Sequence, residues 1–374
     1  MRVLHLVNDF NFTKVHKELV RHLDCLNIEQ DVFIPLKDVE NVGKNEFDFI
    51  VKDSNFIYSV CLRFYHKILY HRRVSFLFNS LISQIKINSI DIVHASTLFA
   101  DGGLALRLKQ TYGIKYVVAV RNSDLNFYMK YRKDLFKYGL EILENADKII
   151  FISNSNLELF RKIFSKQEQF LRCIADKFVV QNNGINNAWL DSTENYSKNN
   201  NLDKSFLFIG RFDKNKNVLN LISAFKSLNK EFSNRHKLIL VGGYGKLHHK
   251  VLKTIKNRDD IVFKGQIDNV QELIFLMKKV DFFTMCSFKE TFGLVYLEAL
   301  SQGKPILYSM GQGIDGTFAN NLVGEAVNSK SIESIKGGLV KLLSSDYYQI
   351  NHVDFKMFSW QNIAEKYYKL YKNI

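Results

Sequence analysis

Residues 287–306, SFKETFGLVYLEALSQGKPI, carry two carboxylates, Glu290 and Glu298, across the start of an otherwise apolar helix. A strand-type apolar run, 281–285, comes before the stretch, and the run 305–308 closes it. Strand, loop, helix and strand in that order are the repeat of a parallel α/β layer. The helix reads as 292–302, with Thr291, Phe292, Gly293 and Leu294 in its first turn. Such a turn has free N–H donors and a partial positive charge, which suit a phosphate. The eight positions from Glu290 to Glu298 span about 12 Å at helical rise. One carboxylate could then meet a sugar on one side of a diphosphate, and the other a ribose beyond it. The plainer alternative makes Glu290 a helix-start acid and Glu298 one more polar residue. The apolar neighbours of Glu298 (Leu294, Val295, Leu297, Ala299, Leu300) weigh against it, because carboxylates are rarely buried unpaired.

The same alternation runs outward through the whole chain. Strands are expected at 3–7, 31–35, 56–60, 91–94, 116–120, 148–152 and 178–180, then at 206–209, 237–241 and 261–263. Helices read at 14–26, 102–109, 217–228, 270–278 and 360–371. The expected fold class is α/β, with parallel sheets covered on both faces and ligands beyond the carboxyl ends of the strands. The polar run 191–204, which includes SKNNNLDKS, lacks an apolar period and reads as a linker between domains 1–190 and 205–357.

Composition sets bounds on function. The chain has 374 residues, 46% of them hydrophobic and 24% charged, so wholesale disorder is excluded. No transmembrane run or signal-peptide pattern is visible, which predicts a cytoplasmic protein. Cys25, Cys61, Cys173 and Cys286 show no paired spacing and read as reduced thiols. The net charge of +14 predicts polyanionic company.

Three further signals stand at strand ends. In 208–217, FIGRFDKNKN, Gly210 permits close backbone approach, while Arg211 and Lys216 suit a phosphate pair; nearby Lys214 is a weaker substitute. In 241–245, VGGYG, Gly242 and Gly243 could turn backbone N–H groups toward phosphate or make a plain tight turn. The dinucleotide G-x-G-x-x-G spacing is absent. In 263–267, FKGQI, Gly265 and Ile267 could present backbone groups to a nucleobase.

Taken together, GRFDKNKN, VGGYG, FKGQI and ETFGLVYLEALSQGKPI resemble the nucleotide-sugar half of the retaining glycosyltransferases of family 4, over 206 to about 327. The resemblance implies a GT-B fold, two Rossmann-like domains facing a cleft, with 358–374 returning to the N-terminal, acceptor-binding one. It implies that Arg211 and Lys216 hold the donor diphosphate, Glu290 the sugar and Glu298 the ribose, with backbone help from Thr291–Leu294. The donor is a nucleotide diphosphate sugar, a uridine diphosphate sugar being the commonest family choice. No D-x-D sequence occurs, which agrees with the metal independence and lack of cofactor that the resemblance implies. The first half resembles the family more loosely. VRNSD, 120–124, falls where the family usually has a histidine, so Arg121 or Asp124 is expected near the donor sugar. His94 ends a D-I-V-H strand, and an isolated histidine there is more often structural than catalytic. The family's glycine pair after the first strand is missing; NDFNFTKVH stands instead, leaving Lys14 and His16 as acceptor-side candidates.

From Ser54 to Ile90 there is no Asp or Glu, and basic residues interleave with aromatics. A second such patch covers 127–137. These suit peripheral contact with an anionic membrane and a lipid-linked glycan acceptor, as in bacterial capsule or surface polysaccharide assembly. The alternative is a core-packing helix pair with snorkelling cations. No nucleic-acid-binding signature is present. A soluble or protein acceptor, a nucleotide-sugar epimerase or glycan phosphorylase of this fold, and a non-catalytic partner subunit remain as other readings.

Overall fold

A computed structural model describes every residue except 61, 234, 320 and 321, together with all other side chains but those of Phe64 and Lys67. Cys61 and two side chains of the acid-free run therefore lie outside the described residues. The strands form two sheets. The first contains β1 (Arg2–Leu6), β2 (Glu29–Leu36), β3 (Asn55–Val60), β4 (Ile92–Ala95), β5 (Lys115–Val120), β6 (Lys148–Phe151) and β7 (Phe178–Val180), in the order β3-β2-β1-β4-β5-β6-β7. The second contains β8 (Ser205–Arg211), β9 (Lys237–Gly243), β10 (Ile261–Phe263), β11 (Phe282–Thr284), β12 (Ile306–Ser309) and β13 (Gly324–Val327), in the order β10-β9-β8-β11-β12-β13. Neighbouring strands run parallel in both, as at β1–β4 and β8–β9. Central strands such as β5, KYVVAV, are buried on both faces, which is why they read as unbroken apolar runs.

The architecture is two Rossmann-like α/β domains, as expected. One strand was not foreseen: β13 reads GEAV, starts with glycine and carries Glu325. It lacks an apolar run because the buried Glu325 carboxylate is satisfied by the Tyr347 hydroxyl at 2.9 Å.

The chain divides into two compact units. One contains Met1–Ile152, Leu157–Gly184 and Trp360–Ile374; the other contains Ser153–Asn156 and Ile185–Ser359. The polar run 191–204 lies inside the second unit, fastened along its surface. The Glu194 N–H donates to Ser301 O at 3.0 Å, and the Tyr196 N–H donates to Asn351 Oδ1 at 2.6 Å. The last helix, Trp360–Lys372, belongs to the first unit. Its apolar stripe (Trp360, Ile363, Ala364, Tyr367, Tyr371) buries against Val3, Ile92, Val117 and Ile150.

Each sheet has one place where the strand order reverses: between β1 and β4 in the first, and between β8 and β11 in the second. Loops leaving such a pair part company, so a crevice opens beyond their carboxyl ends. The residues of interest follow these four strands.

Candidate functional site

In the second unit, β8 ends in Gly210 and Arg211, which are in register with Gly242 and Gly243 of β9. Gly242 has φ of +117°, and a β-carbon there would stand 2.1 Å from the Gly210 carbonyl oxygen. Backbone packing thus accounts for this glycine. The loop after β8 is clasped to the loop after β11 through Asn215. Asn215 accepts from the Phe288 N–H at 2.8 Å, and its side chain exchanges bonds with Lys289 at 2.8 and 3.0 Å. Asn217, buried and left-handed at φ +57°, donates to Cys286 O at 2.9 Å and Ser329 O at 2.7 Å.

That clasp brings Lys216 and Glu290 together. Nζ stands 2.7 Å from Oε2, the two side chains being 26% and 13% exposed. The Lys216 N–H is held by Asp213 Oδ1 at 2.9 Å. The Glu290 N–H donates to Gln312 Oε1 at 3.2 Å, and its carbonyl accepts from the Gly313 N–H at 2.9 Å. Arg211 is different: its side chain is 74% exposed and the nearest carboxylate, on Asp213, stands 4.0 Å away. One cation is held closely by a carboxylate and the other only loosely, with most of its side chain exposed, at the point where the sheet order reverses.

The helix after Glu290 begins later than its sequence suggested. It spans Leu294–Ser301, with Gly293 at its N-cap in the left-handed region, φ +80°. Thr291, Phe292 and Gly293 lead into the helix and do not form its first turn. A helical rise therefore does not measure the separation of Glu290 and Glu298. Phe292 is buried, so only its backbone is available to a ligand. Half-buried Glu298 sits in the helix, and burial pushes its carboxyl up to about 7. Among the described residues that carboxyl accepts no hydrogen bond.

Beyond β9 and β10 a pocket is lined by Gly242, Gly243, Tyr244, His248, Gly265 and Gln266, among others. Ile267 follows it in the chain, half-buried, and is not among the lining residues. Among the described residues, no group of three His, Cys, Asp or Glu side chains is placed to hold a metal ion.

The two matching family models are Glycosyltransferase Family 4, over residues 14–186, and Glycosyl transferases group 1, over residues 192–356. The chain belongs to glycosyltransferase family 4. It is 24% identical over 361 residues to an uncharacterized glycosyltransferase of Methanocaldococcus jannaschii, covering 90% of this chain and 93% of that one. It is 29% identical over 214 residues to the capsular polysaccharide biosynthesis glycosyltransferase CapH of Staphylococcus aureus, with 53% and 54% covered. Among solved structures, sucrose-phosphate synthase from Thermosynechococcus elongatus matches with a TM-score of 0.72 at 17% identity, covering 100% of this chain and 98% of that one. Anabaena HepE in complex with UDP and glucose matches with a TM-score of 0.64 at 13% identity, with both chains covered fully.

In the first unit of this glycosyltransferase, the expected residues fare unevenly. His94, on β4, is 1% exposed; Nδ1 lies 2.7 Å from the Tyr371 hydroxyl and the ring stacks on Tyr367. Burial, with help from His5 and Arg121, holds its pKa well below the ordinary value, so it is a neutral packing residue under the C-terminal helix. Asp124 is buried and accepts the N–H groups of Leu98, Phe99 and Arg121 at 3.2, 3.1 and 2.8 Å. Its carboxylate ties two loops together and has no accessible face for a sugar. Arg121 is half-buried, with Nε on Ser96 O at 2.9 Å. His16 Nε2 is 3.0 Å from Asp9 Oδ1, and Lys14 is exposed at the start of its helix.

The acid-free run turns out to have two faces. On the helix Tyr70–Ile82, residues Tyr70, Val74, Leu77, Phe78 and Leu81 are core. Tyr65, Ile68, Leu69 and Phe76 are exposed, as are Phe127 and Tyr131 of the second patch. Arg132 joins the two patches, donating to Ile68 O at 3.1 Å while clamped on Asp134 at 2.7 Å.

The sequence reading missed Asn215, Asn217 and Gln312. Only Asn217 carried a usable signal, as an asparagine before an apolar period, the residue type that best tolerates a left-handed backbone after glycine.

Proposed function

We propose that this glycosyltransferase moves a sugar from a nucleotide diphosphate sugar to a glycan hydroxyl, with retention of configuration and without a metal. The observation that carries the proposal is the close pairing of Lys216 with Glu290 beside a largely exposed Arg211, held only at 4.0 Å by Asp213, at the reversal point of the second sheet. A diphosphate there would meet two cations and the N–H groups leading into the helix Leu294–Ser301. Glu290, already oriented by Lys216 and Gln312, would accept from sugar hydroxyls, and Glu298 from the ribose.

The reaction breaks the bond between the anomeric carbon and the β-phosphate oxygen through an oxocarbenium-like state. Negative charge grows on the departing phosphate, and Arg211 and Lys216 stabilise it more in the transition state than in the ground state. The phosphate takes the proton of the acceptor hydroxyl as that oxygen bonds to the anomeric carbon from the same face. A side-chain nucleophile is then unnecessary.

A uridine diphosphate donor is supported by the fold likeness to a protein solved with UDP and glucose. A capsule or surface glycan acceptor is supported by the relative named for capsular polysaccharide biosynthesis. The exposed apolar groups at Ile68, Leu69, Phe127 and Tyr131, in segments that also carry exposed Arg72, Lys130 and Lys133, support peripheral contact with an anionic membrane and a lipid-linked acceptor on its cytoplasmic face.

Nucleotide release from UDP-sugars, with and without glycan acceptors and in the presence of EDTA, tests the proposal. Release that depends on acceptor, survives EDTA and gives a product of retained anomeric configuration by NMR is the expected result. Interconversion of free UDP-sugars without transfer would establish an epimerase instead.

A further inference from the structure

Among the described residues, the first unit contains a buried cation that makes no ion pair. Arg73, on the helix Tyr70–Ile82, is 8% exposed. Its guanidinium donates to Asn8 Oδ1 at 2.7 Å. Among the described residues it makes no other side-chain hydrogen bond and no ion pair. Its own segment cannot supply one, since Ser54 to Ile90 contains no Asp or Glu. The acid that feels its charge, Asp101, is already committed. Its carboxyl accepts from the Asn8 N–H at 3.1 Å and from Thr97 Oγ1 at 2.8 Å. Burial, with Asp9 nearby, pushes that carboxyl up to about 8, which disfavours its charged form.

An ionised group in such a place is strongly disfavoured, and arginine has no escape by losing its proton. One of its five donors is engaged by Asn8, and the rest stay open to solvent or to a ligand. Its position is that of a ligand site: Asn8 lies two residues beyond the end of β1, at the reversal point of the first sheet. A single π turn, Asp124–Tyr128, stands beside it, a distortion that recurs at functional sites. Tyr128 on that turn feels the Arg73 charge.

We infer that Arg73 and Asn8 form an anion subsite for the acceptor, so that the glycan receiving the sugar carries a carboxylate or a phosphate. This rests on the transferase reading above. It also gives NDFNFTKVH a role: the Asn8 side chain supplies the oxygen that aims the guanidinium.

Calorimetric titration of the full chain, with UDP saturating the donor side, tests the inference. Inorganic phosphate and glucuronate are the anionic probes, and glucose is the neutral one. Binding of phosphate or glucuronate but not glucose is expected, and which anion binds tells phosphate from carboxylate. Arg73→Gln should weaken that binding about tenfold or more, the loss expected for charge-assisted hydrogen bonds, with UDP affinity unchanged. Arg73→Lys should recover part of it. Absence of anion binding to the wild type, or an Arg73→Gln variant that binds as tightly as wild type, would overturn the inference. Should Arg73→Gln not fold, Asn8→Ala serves in its place, with the same weakening expected and full anion binding counting against the idea. A protein that binds anions but not UDP would sink the donor reading alone.

Discussion

Glu298 offers a quantitative test of the donor site. Burial pushes its carboxyl from the ordinary 4.5 to about 7, so in the free protein it is half-protonated at neutral pH. Ribose hydroxyls donating to it would favour the ionised form and return its pKa toward the ordinary range. Binding and proton release are then linked. With a free-state value of about 7, the ionised fraction falls from roughly nine-tenths at pH 8 to one-tenth at pH 6, so affinity should fall about tenfold, or ~1.4 kcal/mol. UDP-glucose suits the measurement because its diphosphate is a diester and does not titrate in this range. Calorimetry at pH 6, 7 and 8, in buffers of different ionisation enthalpy, reads both affinity and protons released. Glu298→Gln should bind with one weaker affinity across the range and release no proton. The free variant should also resist unfolding better at pH 8. A raised carboxyl favours the folded state below pH 4.5, and that advantage is lost as pH rises toward 7; glutamine removes the dependence. A variant that keeps the wild-type slope, or wild-type affinity at pH 8, would refute the ribose assignment.

Arg211→Ala removes an exposed side chain, so the melting temperature should hold while transfer falls about a hundredfold or more; near-normal turnover would remove Arg211 from the mechanism. His94→Gln probes the packing role. Burial holds the pKa of His94 well below its ordinary value and pushes that of His5 down to about 3, so the unfolded chain takes up protons below about pH 6.5 that the folded one refuses. Stability is full above that pH and drops on acidification. The variant should flatten this dependence in thermal unfolding between pH 7.5 and 5.5, and an unchanged slope would clear His94 of the effect. Ile68→Glu places an acid on the exposed patch, where no fold contact depends on it. Sedimentation with anionic vesicles should fall sharply at unchanged melting temperature, and salt should release the wild type likewise. Equal binding to neutral vesicles would argue against a membrane role.

What could be seen in advance follows from how far each cause lies along the chain. Strands such as 115–120 were legible because burial on both faces demands apolar residues at every position. The strand carrying Glu325 was not, because its buried carboxyl is satisfied by the Tyr347 hydroxyl, which no local pattern reveals. Lys216 and Glu290 lie 74 positions apart, and the asparagine clasp between them is a matter of loop geometry. Residue types alone could nominate the pair through resemblance but could not show the contact. The helix start moved because Gly293 takes a left-handed conformation, a choice made by the tight turn around Glu290. Arg73 is more instructive, because the information was present. Positions 70, 74, 77, 78 and 81 form one helical stripe of Tyr, Val, Leu, Phe and Leu, and 73 falls on it. Read as composition, the arginine joined a basic, aromatic run facing a membrane. Read as periodicity, it is a cation on a core face with no acid for many residues on either side. The anion proposed above for Arg73 is what would offset the cost of that arrangement.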